Sequence, residues 1–143
     1  SMPDLRNSSA RNNRGDISVA ISDSTAHLQQ AEVSAVDGAG VSLFEGSSVV
    51  IENSTVSHSA LAGVSVYDGS VLSIENSEIL ENGDDGVIAG GEGTDVTVTD
   101  SKVNNNAGYG LNAQGGATIT CSGSTSLSGN TKGATLGNVV ACN

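Results

Sequence analysis

Two adjacent aspartates, Asp84 and Asp85, are the residues of this chain whose type and spacing best suit acid–base chemistry. They stand in the run Asn-Gly-Asp-Asp-Gly-Val at residues 82–87. Neighbouring carboxylates can divide the roles of acid and base between them, and Asp68 is a third candidate for such work. The same Gly-Asp-Asp-Gly run is also an ordinary turn sequence. We therefore favour a non-catalytic chain, with a polysaccharide lyase or glycoside hydrolase as the alternative.

Two aromatic residues with polar neighbours indicate a second kind of site, one that binds carbohydrate. Phe44 and Tyr67 occupy equivalent positions of a sequence repeat and are followed by Glu45 and Asp68. Aromatic rings pack against the C–H faces of sugars, while carboxylates and hydroxyls bind the sugar hydroxyls. The alternative is that the two rings only cover the surface. The predicted ligand-binding set is Phe44, Tyr67, Glu45, Asp68, Ser65 and Asn112.

The same carboxylates are candidate ligands for calcium. Glu45, Asp68, Asp84 and Asp85 could converge near one end of the strands, and hard oxygen ligands suit Ca²⁺. Their spacing matches no defined calcium-binding loop, and no paired Cys or His residues predict a zinc site. We therefore expect no cofactor, with Ca²⁺ as the one ion that these carboxylates could bind.

An internal repeat determines where these residues lie. Residues 40–62 and 63–85 align without a gap over 23 positions, and a period of this length is typical of solenoids. Each copy has three short apolar patches, which in the first copy are Val41/Leu43, Val50/Ile51 and Val56. Polar residues alternate with them and turn residues separate them, as expected for strands with one buried face. We predict three strands per coil, stacked so that like residues lie over like.

This register extends along the chain as about five to six coils of 23–24 residues. A first coil at 16–39 aligns Ile17 and Val19 with Val41 and Leu43. The fourth coil has a one-residue insertion near residues 92–94, and the fifth spans 110–132. A partial sixth coil is expected to turn Ala134, Leu136, Val140 and Cys142 inward. The predicted outward column beside the core is Ser18, Ser42, Ser65, Ile88, Asn112 and Thr135.

Three kinds of residue are expected to fix the turns. Glycines at 40, 63, 86, 110 and 133 open the coils, where a positive φ or a close backbone approach requires them. Asn53 and Asn76, joined by Asp100, are predicted to form a ladder of hydrogen-bonded side chains at one turn. Cys121 and Cys142 fall at neighbouring rungs, close enough for a disulfide, with two free core cysteines as the alternative.

The Ile-Glu-Asn-Ser turns at residues 51–54 and 74–77 complete a resemblance. From about Gly15 to residue 143 the chain resembles the right-handed parallel β-helix proteins of the pectate-lyase-like kind. The resemblance implies an all-β, single-stranded solenoid, but that fold carries lyases, hydrolases, epimerases, adhesins and phage spikes. Asp84 and Asp85 are similar to the Asp-Asp segment of polygalacturonase-like hydrolases. The Gly-His-Gly and Arg-Ile-Lys motifs of those enzymes are absent from this sequence.

The composition restricts the partners and the compartment. The net charge is −11, and the basic residues Arg6, Arg11 and Arg14 precede the repeats, so the body is acidic and nucleic acid is disfavoured. No apolar run is long enough for a membrane span. Residues 1–14 are expected to be a disordered basic leader, a cloning remnant or a piece of a preceding turn. Residues 15–143 are expected to be one domain, an excerpt of a longer extracellular or cell-surface protein.

Two functions fit these observations. The favoured one is a rigid extracellular module that displays other domains or contacts polysaccharide. The alternative is a fragment of an enzyme acting on acidic polysaccharide. Self-association is a further expectation, because the ends of a solenoid present unpaired strand edges.

Overall fold

The chain is all β in the residues that the structure describes. These are residues 4–6, 9–11, 17–34 and 36–142 of a computed structural model, with side chains described from Val19 onward. The strands in chain order are β1 (Asp4–Arg6), β2 (Ser9–Arg11), β3 (Ile17–Ser22), β4 (Thr25–Gln29), β5 (Glu32–Ser34), β6 (Ala39–Phe44), β7 (Ser48–Glu52), β8 (Thr55–Ser57), β9 (Val64–Val66), β10 (Val71–Glu75), β11 (Glu78–Leu80), β12 (Val87–Gly90), β13 (Asp95–Thr99), β14 (Lys102–Asn104), β15 (Tyr109–Gln114), β16 (Thr118–Ser122), β17 (Gly133–Gly137) and β18 (Val139–Val140).

The strands form three parallel sheets along the axis of a solenoid. Sheet A has the order β1-β4-β7-β10-β13-β16-β18, sheet B has β14-β11-β8-β5-β2, and sheet C has β17-β15-β12-β9-β6-β3. Each coil takes one strand from sheet C, one from sheet A and one from sheet B. We call the connections the C–A, A–B and B–C turns. This architecture confirms the predicted solenoid with three strands per coil.

Stacked aliphatic side chains form the core, as the repeat predicts. Ile74 lies opposite Ile51 in the preceding coil and Val98 in the following one, and all three are buried. Alternate residues of each strand face outward, because side chains on a strand have a period of two. The coil length rises from 23 to 24 between Val64, which pairs with Val87, and Leu72, which pairs with Val96. The insertion therefore lies where the sequence predicts it, near residues 92–94.

The first coil differs from the prediction by two residues. Val19 lies opposite Val41 and Ile21 lies opposite Leu43, so that Ala20, and not Ser18, pairs with Ser42. A shift of two residues keeps the same face of a strand inward, and for this reason apolar alternation could not distinguish the two registers. The side chain of Ser18 and residues 12–16 lie outside the described part of the chain.

The described part of the leader is a piece of a preceding coil. β1 pairs with β4, and β2 pairs with β5, both in parallel. This observation favours the preceding turn over a disordered leader for residues 4–6 and 9–11.

The last coil is shifted by one residue from the prediction. Thr135 lies opposite Leu111 and Leu136 opposite Asn112, so Ala134 and Leu136 do not fill the core and Thr135 leaves the outward column. The reason is that the fifth coil is one residue longer than expected in sheet C, which also places Gly133 opposite Tyr109 rather than Gly110. In sheet A it is Val139, and not Val140, that packs on the core. A disulfide joins Cys121 and Cys142, whose Cα atoms are 5.0 Å apart, as the sequence predicts.

Buried polar ladders close the turns, but they use residues other than Asn53 and Asn76. Both of these asparagines are exposed and have positive φ values of 50° and 45°, so the predicted asparagine ladder at the A–B turn is wrong. The following serines form it instead: Ser54 N–H donates to Ser77 Oγ, and Ser77 N–H donates to Ser101 Oγ, each at 3.1 Å. A left-handed residue at each of these turns is followed by one that points inward.

The asparagine ladder of this protein stands at the B–C turn. Asn82 Nδ2 donates to Asn106 Oδ1, and Asn106 Nδ2 donates to Asn130 Oδ1, each at 2.9 Å. The coil-opening glycines make room for it: a Cβ on Gly63 would lie 2.7 Å from Asn82 Nδ2 and 2.6 Å from Ile79 Cγ2. Close approach, and not positive φ, therefore explains the glycines at 40, 63, 86 and 110.

Candidate functional site

The outer face of sheet C carries every aromatic side chain of the protein. The sequence has one Phe, two Tyr and no Trp. None of the three belongs to the core cluster, which is aliphatic apart from Cys121. Phe44 and Tyr67 lie at the C-terminal ends of their strands, whereas Tyr109 begins β15. This concentration of rings on one outer surface distinguishes it from sheets A and B.

We call the part of this surface in the third to fifth coils the outer C face. Backbone register defines its centre, because Ser65, Ile88 and Asn112 lie side by side on β9, β12 and β15. Its principal members are Tyr67, Asp84, Asp85, Ile88, Tyr109 and Asn112. Three of the predicted ligand-binding residues, Ser65, Tyr67 and Asn112, thus share one surface with the two aspartates.

The ring of Tyr67 lies across Gly90 of the next strand. A Cβ at Gly90 would be 2.7 Å from Cε1 and 2.9 Å from Cδ1 of the ring, so only glycine leaves it in place. The tyrosine is half-buried there. Burial raises the pKa of the Tyr67 phenol above its ordinary value of 10.0, and the negative charges of Asp85 and then Asp84 raise it further. The phenol therefore stays neutral and protonated at physiological pH.

Asp85 ties two coils together on this face. Its Oδ1 accepts the backbone N–H of Tyr109 at 2.7 Å, and its Oδ2 accepts Asn112 Nδ2 at 2.9 Å. The carboxylate is only 5% exposed, and Gly108 leaves the space that it occupies. With both oxygens engaged in a buried site, Asp85 is placed to hold Asn112 and β15 rather than to exchange protons with a substrate.

Asp84 has a different environment from its neighbour. It is exposed, and its carboxylate has no hydrogen bond or ion pair to any described residue. Its backbone carbonyl accepts the N–H of Gly108 at 2.9 Å. The adjacent aspartates therefore do not form a matched pair: one carboxylate is buried and hydrogen-bonded, and the other is free in solvent.

Asn112 adds an unfilled acceptor to the outer C face. The side chain is 4% exposed, and its Oδ1 has no hydrogen-bond partner among the described residues. A buried carbonyl oxygen without a donor is costly, and proteins keep few of them. The amide nitrogen is already engaged with Asp85, so the orientation of this oxygen is fixed.

The structure does not bring the predicted calcium ligands together. Glu45 and Asp68 lie at the C–A turn, after the strands of sheet C, whereas Asp84 and Asp85 lie at the B–C turn, before them. Glu45 Oε2 accepts the hydroxyl of Ser22 at 2.5 Å. Within the described residues no group of three His, Cys, Asp or Glu side chains could hold a metal ion.

A second, more polar depression lies at the edge of sheet A. It has a volume of about 380 Å³ and is lined by Gly93, Thr94, Asp95, Gly116, Thr118 and Thr120. None of the predicted site residues borders it. Its lining has one carboxylate and no aromatic ring, so it offers less to a sugar than the outer C face does.

Tyr109, Gly90 and Gly108 are the members of the site that sequence reasoning missed. Tyr109 stands at the junction of two coils, and its column was not compared with that of Asp85. The signal for Gly90 was available: it falls 23 residues after Tyr67, where the repeat would otherwise have a side chain. A glycine one coil above an aromatic residue indicates that the ring lies over it.

The architecture defines the chain as a parallel β-solenoid with three strands per turn. A family model described as "right handed beta helix region" matches residues 1–139 of the 143, and the chain belongs to this family. The predicted right-handed β-helix is thereby confirmed. No curated protein and no solved structure gives a significant match. The family occurs in carbohydrate-active enzymes and in surface modules. The described residues contain no helix that is long and apolar enough to cross a membrane.

Proposed function

We propose that this chain is a non-catalytic module of an extracellular protein and that its outer C face contacts polysaccharide. The observation that carries the proposal is the placement of Tyr67, which lies over Gly90 beside two aspartates and Asn112. A ring held in this way offers an apolar face to a sugar, and the polar groups around it can bind hydroxyls.

Two features support a binding role over a catalytic one. Both oxygens of Asp85 are occupied by structural hydrogen bonds, which leaves Asp84 without an accessible carboxylate partner. The paired coils also keep spacings of 23 or 24 residues from β6 to β16, so no long loop borders the face to form a cleft.

The disulfide supports the extracellular part of the proposal. The bond between Cys121 and Cys142 is consistent with an oxidising compartment, where such bonds persist. A solenoid of this kind is rigid because each coil is hydrogen-bonded to its neighbours, so the face would be presented to a polymer without rearrangement.

Affinity electrophoresis and calorimetry with a panel of soluble polysaccharides test the proposal. We expect at least one polymer to bind wild type and to lose about ten-fold or more in affinity with Tyr67→Ala, because aromatic contacts dominate such surfaces. Val71→Ala is the control, since it removes an exposed apolar side chain from the outer face of sheet A. Binding that Val71→Ala weakens as much as Tyr67→Ala does, or depolymerisation that Asp84→Asn abolishes, would contradict the proposal.

A further inference from the structure

We propose that the outer C face recognises polysaccharides with free amino groups, a linear de-N-acetylated hexosamine polymer, in preference to acidic or uncharged ones. This inference rests on the proposed function and specifies its ligand. It depends on which charges surround Tyr67 and on which hydrogen-bonding atoms there are unfilled.

The charge around the outer C face excludes polyanions. The chain has a net charge of −11, and Lys102 and Lys132 are its only basic residues after Arg14. Lys102 lies on sheet B. Lys132 follows Gly108 by one coil, through a 3.0 Å backbone hydrogen bond, and is thus two coils from Asp84. A uronate or sulfate polymer would approach a surface of its own sign and be repelled.

The unfilled polar groups of the face are acceptors. The carboxylate of Asp84 is exposed and without a partner in the described residues, and Asn112 Oδ1 is buried without one. Asp85 is an acceptor as well, although its oxygens are already used. An ammonium group has three donors, no acceptor and a positive charge. It therefore fits this set better than a sugar hydroxyl, which brings an acceptor with each donor.

The aromatic ring provides a second interaction for the same group. Cations are attracted to the face of a tyrosine ring, most strongly where water is partly excluded. Tyr67 is half-buried, with one side on Gly90. Its raised pKa keeps the phenol neutral, so the hydroxyl donates or accepts without adding a charge. Asp84 and Tyr67 can thus contact an amino sugar together, the carboxylate at the ammonium and the ring at the sugar face.

The test compares three polymers of equal length with the intact chain. These are a β-1,4-glucosamine oligomer, its fully N-acetylated form and an oligogalacturonate, each titrated by calorimetry at two salt concentrations. We expect the glucosamine oligomer to bind at least ten-fold more tightly than the acetylated one, and the oligogalacturonate not to bind. Binding of the glucosamine oligomer should weaken as salt rises.

Two charge variants separate a specific site from general attraction between opposite charges. Asp84→Asn and Glu78→Gln remove one negative charge each, the first from the outer C face and the second from an exposed position on sheet B. We expect Asp84→Asn to weaken glucosamine binding about two- to five-fold and Glu78→Gln to leave it unchanged. Tyr67→Phe, which keeps the ring, should retain most of the affinity that Tyr67→Ala loses.

The outcomes distinguish the inference from the function on which it rests. Equal losses for Asp84→Asn and Glu78→Gln would overturn the inference, because they would mean general charge attraction only. Equal binding of the acetylated oligomer would overturn it too, while leaving the outer C face as a polysaccharide-binding surface. If none of the polymers in either panel bound, both proposals would fail.

Discussion

The Asp85 carboxylate accepts a hydrogen bond from Asn112 Nδ2 at 2.9 Å, across the boundary between two coils. This contact joins the residue that sequence reasoning selected for catalysis to one that it selected for ligand binding. The geometry gives the aspartate a structural task and leaves the asparagine with a fixed, unfilled oxygen. It therefore changes what a mutation at residue 85 is expected to do.

Asp85→Ala should destabilise the protein. The substitution removes the acceptor of a buried backbone N–H, that of Tyr109, and of the Asn112 amide. Leaving buried donors unsatisfied costs about 1–3 kcal/mol, which a urea titration followed by circular dichroism would measure. Asp84→Ala is the matched control and should change the free energy of unfolding by less than about 0.5 kcal/mol. Equal effects of the two variants would contradict this role of Asp85.

Gly90→Ala should displace the Tyr67 ring without altering its chemistry. The added methyl group would meet the ring, while the backbone at Gly90 does not require a positive φ. We expect Gly90→Ala to reduce polysaccharide binding nearly as much as Tyr67→Ala does. In the Tyr67→Ala background the same change should have no further effect on affinity, a non-additivity expected of residues in contact. Additive losses would show that the two positions act independently.

Tyr67 should ionise at higher pH than Tyr109. Burial and the two aspartates raise the pKa of Tyr67 above 10.0 in the folded state. Between the unfolded and folded values the native state binds more protons than the unfolded state, so the free energy of unfolding falls as pH rises above about 10. Ultraviolet absorbance of tyrosinate would resolve the later step.

Two variants assign that step. It should disappear with Tyr67→Phe and shift to lower pH with Asp84→Asn, since one of the charges that raise the pKa is then gone. An unchanged titration in Asp84→Asn would place Asp84 too far from the phenol for the recognition that we propose.

Ser59→Asn should extend the asparagine ladder by one rung and stabilise the protein. Ser59 is buried, its hydroxyl has no partner among the described residues, and its N–H already donates to Asn82 Oδ1 at 3.0 Å. Gly40 provides the space that Gly63 provides for Asn82. We expect a gain of about 1 kcal/mol from the added hydrogen bonds, measured by urea denaturation.

Asn106→Ala is the converse of that experiment. Asn106 is fully buried and its side chain joins Asn82, Ile79 and Asn130. Its removal should cost about 2–4 kcal/mol, whereas Asn53→Gly at an exposed left-handed position should be neutral or slightly stabilising. A loss of stability in Ser59→Asn would mean that the coil around Gly40 cannot accept the larger amide.

Reduction of the disulfide should loosen the last coil first. β18 pairs with β16 over only two residue pairs, and the disulfide pins the chain immediately after it. A loop of 21 residues gives about 3 kcal/mol of stabilisation in the chain-entropy description. Hydrogen exchange in Cys142→Ser should therefore rise in β17 and β18 while β9 to β13 stay protected. Uniform loss of protection would show that the coils unfold as one unit.

The fold could be predicted from the sequence because the repeat repeats its own errors rarely. Apolar residues recur at fixed offsets in residues 40–85, and the pairing of Ile51 with Ile74 follows from counting alone. Counting fails where coils change length. The two-residue shift of β3 is invisible to alternation, and the four residues missing before Val139 shift β18 relative to β17.

The site could be predicted only in part. Tyr67, Ser65 and Asn112 were selected correctly as neighbours, because period-two alternation places them on one face. The opposite behaviour of Asp84 and Asp85 depends on Gly108 and on the amides of the next coil, which no local motif reports. Likewise, Asn53 and Ser54 exchange roles because a left-handed backbone turns the asparagine outward.

Residue-resolved mapping of a bound glycan tests the central claim most directly. Amide chemical shifts of the isotope-labelled protein would be followed as a binding oligosaccharide is added. The proposal predicts saturable shifts at residues 65–67, 84–90 and 109–114, with none at Thr118 and Thr120 in the depression of sheet A. Shifts centred on that depression, or spread evenly over the three sheets, would contradict it.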